Sequence, residues 1–173
     1  DITENGLNPV HLIATHGHFD HNFGNGVIYK TFGLKAEIHE DDAALLQAIG
    51  QQTMDFFGIP LHGGEAPIGR YLHDGDTITY GTQTLRVMHT PGHTEGGTVI
   101  YNEQEQTAFT GDTIFRMSIG RTDLDGGHME KLMASLQRIV SELPEETVLY
   151  PGHGPKTTVA AEKKGNPYIK GGM

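Results

Sequence analysis

Four short runs of strand-forming residues in this chain each stop at a glycine-rich turn, and each turn delivers histidine or aspartate. The runs are Val10 to Thr15, Thr84 to His89, Thr107 to Thr110 and Thr147 to Tyr150, and they lead into "THGHFDH", "TPGHTEG", "TGDTIF" and "YPGHGP". The donors delivered are His16, His18, Asp20 and His21 at the first turn, then His93, Asp112 and His153. Strand positions i and i+2 face one side, so His16 and His18 at a strand exit can converge on one ion. Asp20 and His21 bend toward a neighbouring point, which suggests two adjacent metals. Small residues beside each donor let the backbone come close to a buried ion and take turn geometry that bulkier residues resist. Taken singly, a Pro-Gly-His is as often an ordinary turn, but the recurrence of strand, turn and donor four times is hard to assign to chance.

Composition narrows the chemistry. The chain has 173 residues and no cysteine, which removes disulfides and thiolate ligands and leaves imidazole and carboxylate as the strong donors. Its length fits one domain, residues 1–173, with a single sizeable core. A formal net charge of -10 opposes attraction to phosphate backbones, and no basic patch offsets it, so nucleic acid is not an expected partner. No apolar stretch approaches the roughly 20 residues needed to cross a bilayer, so no membrane role is expected. The chain reads as soluble, globular and cytoplasmic, with a small molecule as partner.

Further β-like runs cover Ala36 to His39, Thr77 to Tyr80 and Thr98 to Tyr101. Helical spacing is clearest from Met129 to Leu143, where Leu132, Met133, Leu136, Ile139, Val140 and Leu143 share a face before Pro144 ends it. A second helix is predicted from about Asp41 to Ile49, with Glu40, Asp41 and Asp42 suited to its N-terminal dipole. Gln51 to Gly69 has no clear period and reads as a loop or short helix. The order is that of a mixed α/β domain.

The ordered set His16, His18, Asp20, His21, His93, Asp112 and His153 resembles the signature of the metallo-β-lactamase superfamily along almost the whole chain. "TPGHTEGG", "GDTIF", "GRTD" and "PGHGP" look most like its glyoxalase II-type thioesterases and persulfide dioxygenases, and the C-terminal stretch looks like the short bacterial glyoxalase II-like branch. The resemblance implies an αβ/βα sandwich. It implies one ion held by His16, His18 and His93, a second by Asp20, His21 and His153, and Asp112 bridging them. Asp20 and Asp112 take catalytic roles as well as ligand roles. The implied activity is hydrolysis of a hydroxyacylglutathione-like thioester through a metal-bridging hydroxide. Zinc is the default ion for such donors, with iron or manganese also suited. The alternatives are a mononuclear iron persulfide dioxygenase, which would use His16, His93 and Asp112, or another ester or lactone hydrolase of the superfamily. A diiron electron-transfer module and a tRNA-processing nuclease fit the length and charge less well. β-Lactam hydrolysis is disfavoured, because neither Cys at the Asp112 position nor loss of Asp20 or His21 is seen.

The resemblance also brings Arg121 and His128 near the mouth of the site as substrate contacts, although Arg121 with Asp123 reads first as a structural clamp. His11, His39, His62, His73 and His89 read as structural or solvated. The strands that usually precede the first motif have no counterpart in the nine residues before Val10. The expectation is therefore a sandwich apparently lacking its N-terminal strands, with an additional segment or chain completing it.

Overall fold

The structure, a computed structural model, describes residues 2–170. The chain begins with β1 (Leu12–Ile13), α1 (Phe19–Asn22), α2 (Asn25–Phe32) and β2 (Ala36–His39). After a 3-10 turn at Glu40–Asp42 come α3 (Ala43–Gln47), α4 (Ile49–Phe57) and β3 (Ile68–Leu72). A meander follows: β4 (Thr77–Tyr80), β5 (Gln83–His89), β6 (Thr98–Asn102) and β7 (Thr107–Gly111), then the small hairpin β8 (Ile114–Phe115) and β9 (Ser118–Ile119). The long helix α5 (Met129–Glu142), β10 (Val148–Pro151), β11 (Thr157–Thr158), α6 (Val159–Gly165) and α7 (Pro167–Lys170) complete it.

Two sheets carry the fold. One is parallel, in the order β1-β2-β3, and the other runs β11-β10-β7-β6-β5-β4. Alternation along β5 shows how they are layered. Leu85 and Val87 join Leu72, Ile78 and Ile100 in a core that Ile13 completes from the facing sheet, whereas Met88 joins the core under α5. There Leu136, Ile139, Val140 and Leu143 present one helical stripe to Val99, Tyr101 and Leu149. On the far side of the smaller sheet, Leu46, Ile49 and Phe19 pack on Ala36 and Ile38. The layers are helix, sheet, sheet, helix. β6, covered on both faces, is buried at every residue. Phe109 and Tyr150 stay roughly half-exposed, with their rings 5.9 Å apart.

Several elements differ from the sequence reading. The predicted strand Val10 to Thr15 keeps only two residues in register with β2, because its continuation leaves the sheet to form the first donor turn. The helix predicted from Asp41 to Ile49 is broken at Ala48 (φ -97°, ψ 20°) into α3 and α4, and α4 runs on into the stretch without clear period. Its signal is hidden because apolar Met54 and Phe57 lie on its exposed side, so no polar face marks it. The strand β3 escapes notice because Gly69 and Arg70 interrupt its apolar run, and α2 because Gly26 and exposed Val27 blur its period. By contrast, α5 ends within one residue of its predicted limit.

Candidate metal centre

The donors meet because of strand direction. Two antiparallel steps lead from β5 to β7 and one parallel step from β7 to β10, so all three strands point the same way and their C-terminal ends share one edge. His93 follows β5, Asp112 follows β7 and His153 follows β10. The turn after β1 is pinned to that edge by Thr98, whose backbone N–H (2.8 Å) and hydroxyl (3.0 Å) both donate to the Thr15 carbonyl. This brings up His16 and His18, while Asp20 and His21 ride on α1.

All seven predicted donors come together, in three overlapping groups whose ligand atoms lie within 4.8 Å of one another: His16, His18 and His93; His16, His21 and Asp112; and Asp20, His21 and His153. His18 Nδ1 is 2.9 Å from His93 Nε2, and His153 Nε2 is 3.2 Å from His21 Nε2 and 3.0 Å from Asp20 Oδ2. Asp112 stands between the two ends. Its Oδ2 is 3.6 Å from His93 Nε2 and 3.5 Å from His153 Nε2, and its Oδ1 is 3.4 Å from His21 Nε2. His93 Nδ1 is 2.7 Å from the Arg121 carbonyl, a bond that requires the proton on Nδ1 and leaves the Nε2 lone pair free.

Electrostatics favour a cation here. Burial pushes the His16 imidazole well below its usual pKa, helped by the neighbouring imidazoles of His21, His93 and His18. Burial and then His93 lower His18 to about 4. Burial also opposes charge on His21, but the hydrogen bond and charge of Asp112, with Asp20 behind, outweigh it and raise the pKa. For Asp112 burial acts upward and is overcome by His21, His93 and His153, so the carboxyl is held below its usual range. His16 Nε2 and Asp112 Oδ1 are buried without a well-formed hydrogen bond, which is costly unless something positive lies between them. Five imidazoles and two carboxylates with orphaned lone pairs fit a pair of divalent ions of the zinc, iron or manganese kind. Gly152 is part of that fit, since a Cβ there would overlap Asp112 Oδ1 and His21 Cε1.

A further group, His39, Asp41 and His89, has donor atoms equally close. There the His39 and His89 rings stack 3.9 Å apart at 11°, so their lone pairs lie side by side instead of converging. At the candidate centre the ring pairs are tilted by 55° to 90°, as inward-pointing lone pairs require.

Around the donors lies a polar frame that sequence reasoning missed. Asp42, fully buried, accepts from Gly17 N (2.8 Å), Thr94 Oγ1 (2.7 Å) and Gly96 N (2.6 Å), tying the first donor turn to the one that carries His93. In the sequence it looked like a helix-start acid. Asn22 Nδ2 donates to the carbonyls of His16 and His18, and Gln52 Nε2 to that of Gly17. No local signal separates these residues from ordinary caps and surface amides.

A cavity of about 440 Å³ opens over the centre, and His18, Asp20, His93, Asp112, His153 and Arg121 line it. The Arg121 guanidinium is held bidentately by Asp123 at 2.7 and 2.8 Å, as the clamp reading expects. His128 is exposed at the start of α5 and does not line the cavity; its backbone N–H donates to the Gly92 carbonyl.

A family model described as the metallo-beta-lactamase superfamily matches residues 2–153. The chain belongs to that superfamily. Hydroxyacylglutathione hydrolase GloC of Haemophilus influenzae is 31% identical over 169 residues, 97% of this chain and 79% of GloC. Among solved structures, BLEG-1 B3 metallo-beta-lactamase matches with a TM-score of 0.88 at 34% identity, over 97% of this chain and 80% of that one. TTHA1623 in a di-iron-bound form matches at 0.87 and 34% identity, over 96% and 81%. The layered architecture is the superfamily's αβ/βα sandwich, and the histidine-rich centre is a candidate site for the metal ions that metallo-hydrolases of this superfamily use. No helix among the described residues is long and apolar enough to cross a membrane.

Proposed function

We propose that this protein is a dinuclear metal-dependent thioesterase acting on hydroxyacylglutathione-like substrates. The observation that carries the reading is Asp112, a buried carboxylate within 3.6 Å of nitrogens from both ends of the centre. Such a carboxylate suits two ions, with His16, His18 and His93 for one and Asp20, His21 and His153 for the other. Metals bound there would acidify water and polarise the thioester carbonyl. The kinship with GloC supports the substrate class.

The chain's own groups supply the rest. Asp112, held ionised by the imidazoles around it, contributes negative charge without needing to lose a proton at neutral pH. Asp20 is exposed at the cavity wall with its Oδ2 3.0 Å from His153 Nε2; one of its carboxylate oxygens would help hold the second ion while the other accepts the proton that water gives up and returns it to the departing thiolate. Water adds to the carbonyl carbon, the C–S bond breaks, and the products are a carboxylic acid and a thiol.

Elemental analysis of the purified protein combined with a hydrolysis assay on S-lactoylglutathione tests this. Two metals per chain with release of glutathione support the reading. One iron per chain with oxygen uptake on glutathione persulfide overturns it in favour of sulfur oxidation. Hydrolysis of a cephalosporin with no action on thioesters overturns the substrate class, an outcome that the likeness to BLEG-1 makes worth measuring.

A further inference from the structure

The walls above the donors are apolar out of proportion to a small hydroxyacyl substrate. Phe19 and Phe56, whose rings touch, line the cavity together with Phe115 and Ile119 of the β8–β9 hairpin and Leu124. Phe56 is the informative residue. On α4, Ile49 and Thr53 are buried, and Phe56 continues their stripe at helical spacing, yet it is 49% exposed because the cavity lies in front of it. Its ring meets Phe19 at 5.3 Å, which fixes its position without covering its free face. A stripe that buries Ile49 and Thr53 over its first turn thus ends by presenting an aromatic face to the cavity over the donors, and such a face gains only when an apolar group displaces its water. The polar groups offered besides the donors are few: Ser118 and an Arg121 whose guanidinium is already engaged by Asp123.

We infer that the acyl portion of the substrate is an apolar chain or ring lying against Phe56, and that Phe56 sets specificity for it. This rests on the thioesterase reading and moves its acyl group from a small hydroxyacyl such as lactoyl to a longer, apolar one. Each methylene buried against the wall should raise kcat/KM about fourfold until the cavity is filled.

The test uses the metal-loaded protein, S-acetyl-, S-butyryl-, S-hexanoyl- and S-lactoylglutathione, and separately the binding of S-methyl-, S-butyl- and S-hexylglutathione, thioethers that cannot be hydrolysed. Expected is a rise in both kcat/KM and affinity with chain length, reduced to less than about twofold per methylene by Phe56→Ala. Val27→Ala, which removes an equally apolar and exposed side chain that does not line the cavity, should keep the full dependence. Lactoylglutathione turned over as well as the hexanoyl ester, or a chain-length dependence unchanged in Phe56→Ala, overturns the inference while leaving thioester hydrolysis standing. Thioether affinity that rises with length in a protein that hydrolyses none of the esters supports the apolar wall and sinks the reaction.

Discussion

Gly152→Ala is the sharpest perturbation of the centre, because it adds one methyl group and removes no donor. The new Cβ would overlap Asp112 Oδ1 and His21 Cε1, and clearing van der Waals contact takes a displacement of roughly 1 Å. Metal–ligand distances tolerate only about 0.2 Å, so the shift should take Asp112 or His21 out of coordination and weaken binding by about 100-fold or more. Gly152 is exposed and has no positive φ, so the metal-free protein should lose only the cost of moving those side-chain ends, about 1–3 kcal/mol. The two effects separate in thermal unfolding. With zinc at about 1,000 times the wild-type Kd, binding stabilises by about 4.1 kcal/mol, and a 100-fold weaker site leaves about 1.4 kcal/mol. The missing 2.7 kcal/mol or so corresponds to roughly 5–10 °C of the zinc-dependent rise in Tm for a chain of this size. Scanning calorimetry with and without zinc, alongside titration calorimetry, reads both quantities. A variant that binds zinc as tightly as wild type would show that Gly152 is not held against the donors, and the geometry inferred for the centre would fall.

Other consequences can be checked more briefly. Asp112→Ala should strip metal from the protein measured by elemental analysis, whereas His89→Ala should keep it; the opposite ranking refutes the ligand assignment. Asp42→Asn turns one acceptor toward a donor, Gly17 or Thr94 on one side or Gly96 on the other, and should cost about 2–3 kcal/mol in urea unfolding; a change below about 0.5 kcal/mol would mean the clamp is idle. In metal-free protein, His18 titrates near 4 when folded and near 6.5 when unfolded. The unfolded chain therefore binds more protons between those values, and stability is complete above about pH 6.5 and falls as pH drops toward 4. His18→Asn should flatten that fall in the urea midpoint, and a midpoint independent of pH in wild type would contradict the burial argument.

The amino-acid order alone fixed which seven side chains could bind metal, because a donor is a property of residue type and the turn that presents it is written in adjacent Gly, Pro and Asp. It also fixed α5, whose stripe from Leu132 to Val140 repeats with a clean helical period. Where hydrophobic residues face a cavity instead of a core, as with Phe56, or where Gly interrupts an edge strand, as at Gly69, that period disappears and local reading fails. The tertiary structure alone decided that strand directions bring His93, Asp112 and His153 to one edge. It alone turned Asp42 from a helix-start acid into a clamp on loops 25 and more residues away. Such partners are set by which surfaces pack together, and packing between distant segments leaves no spacing in the chain to be read.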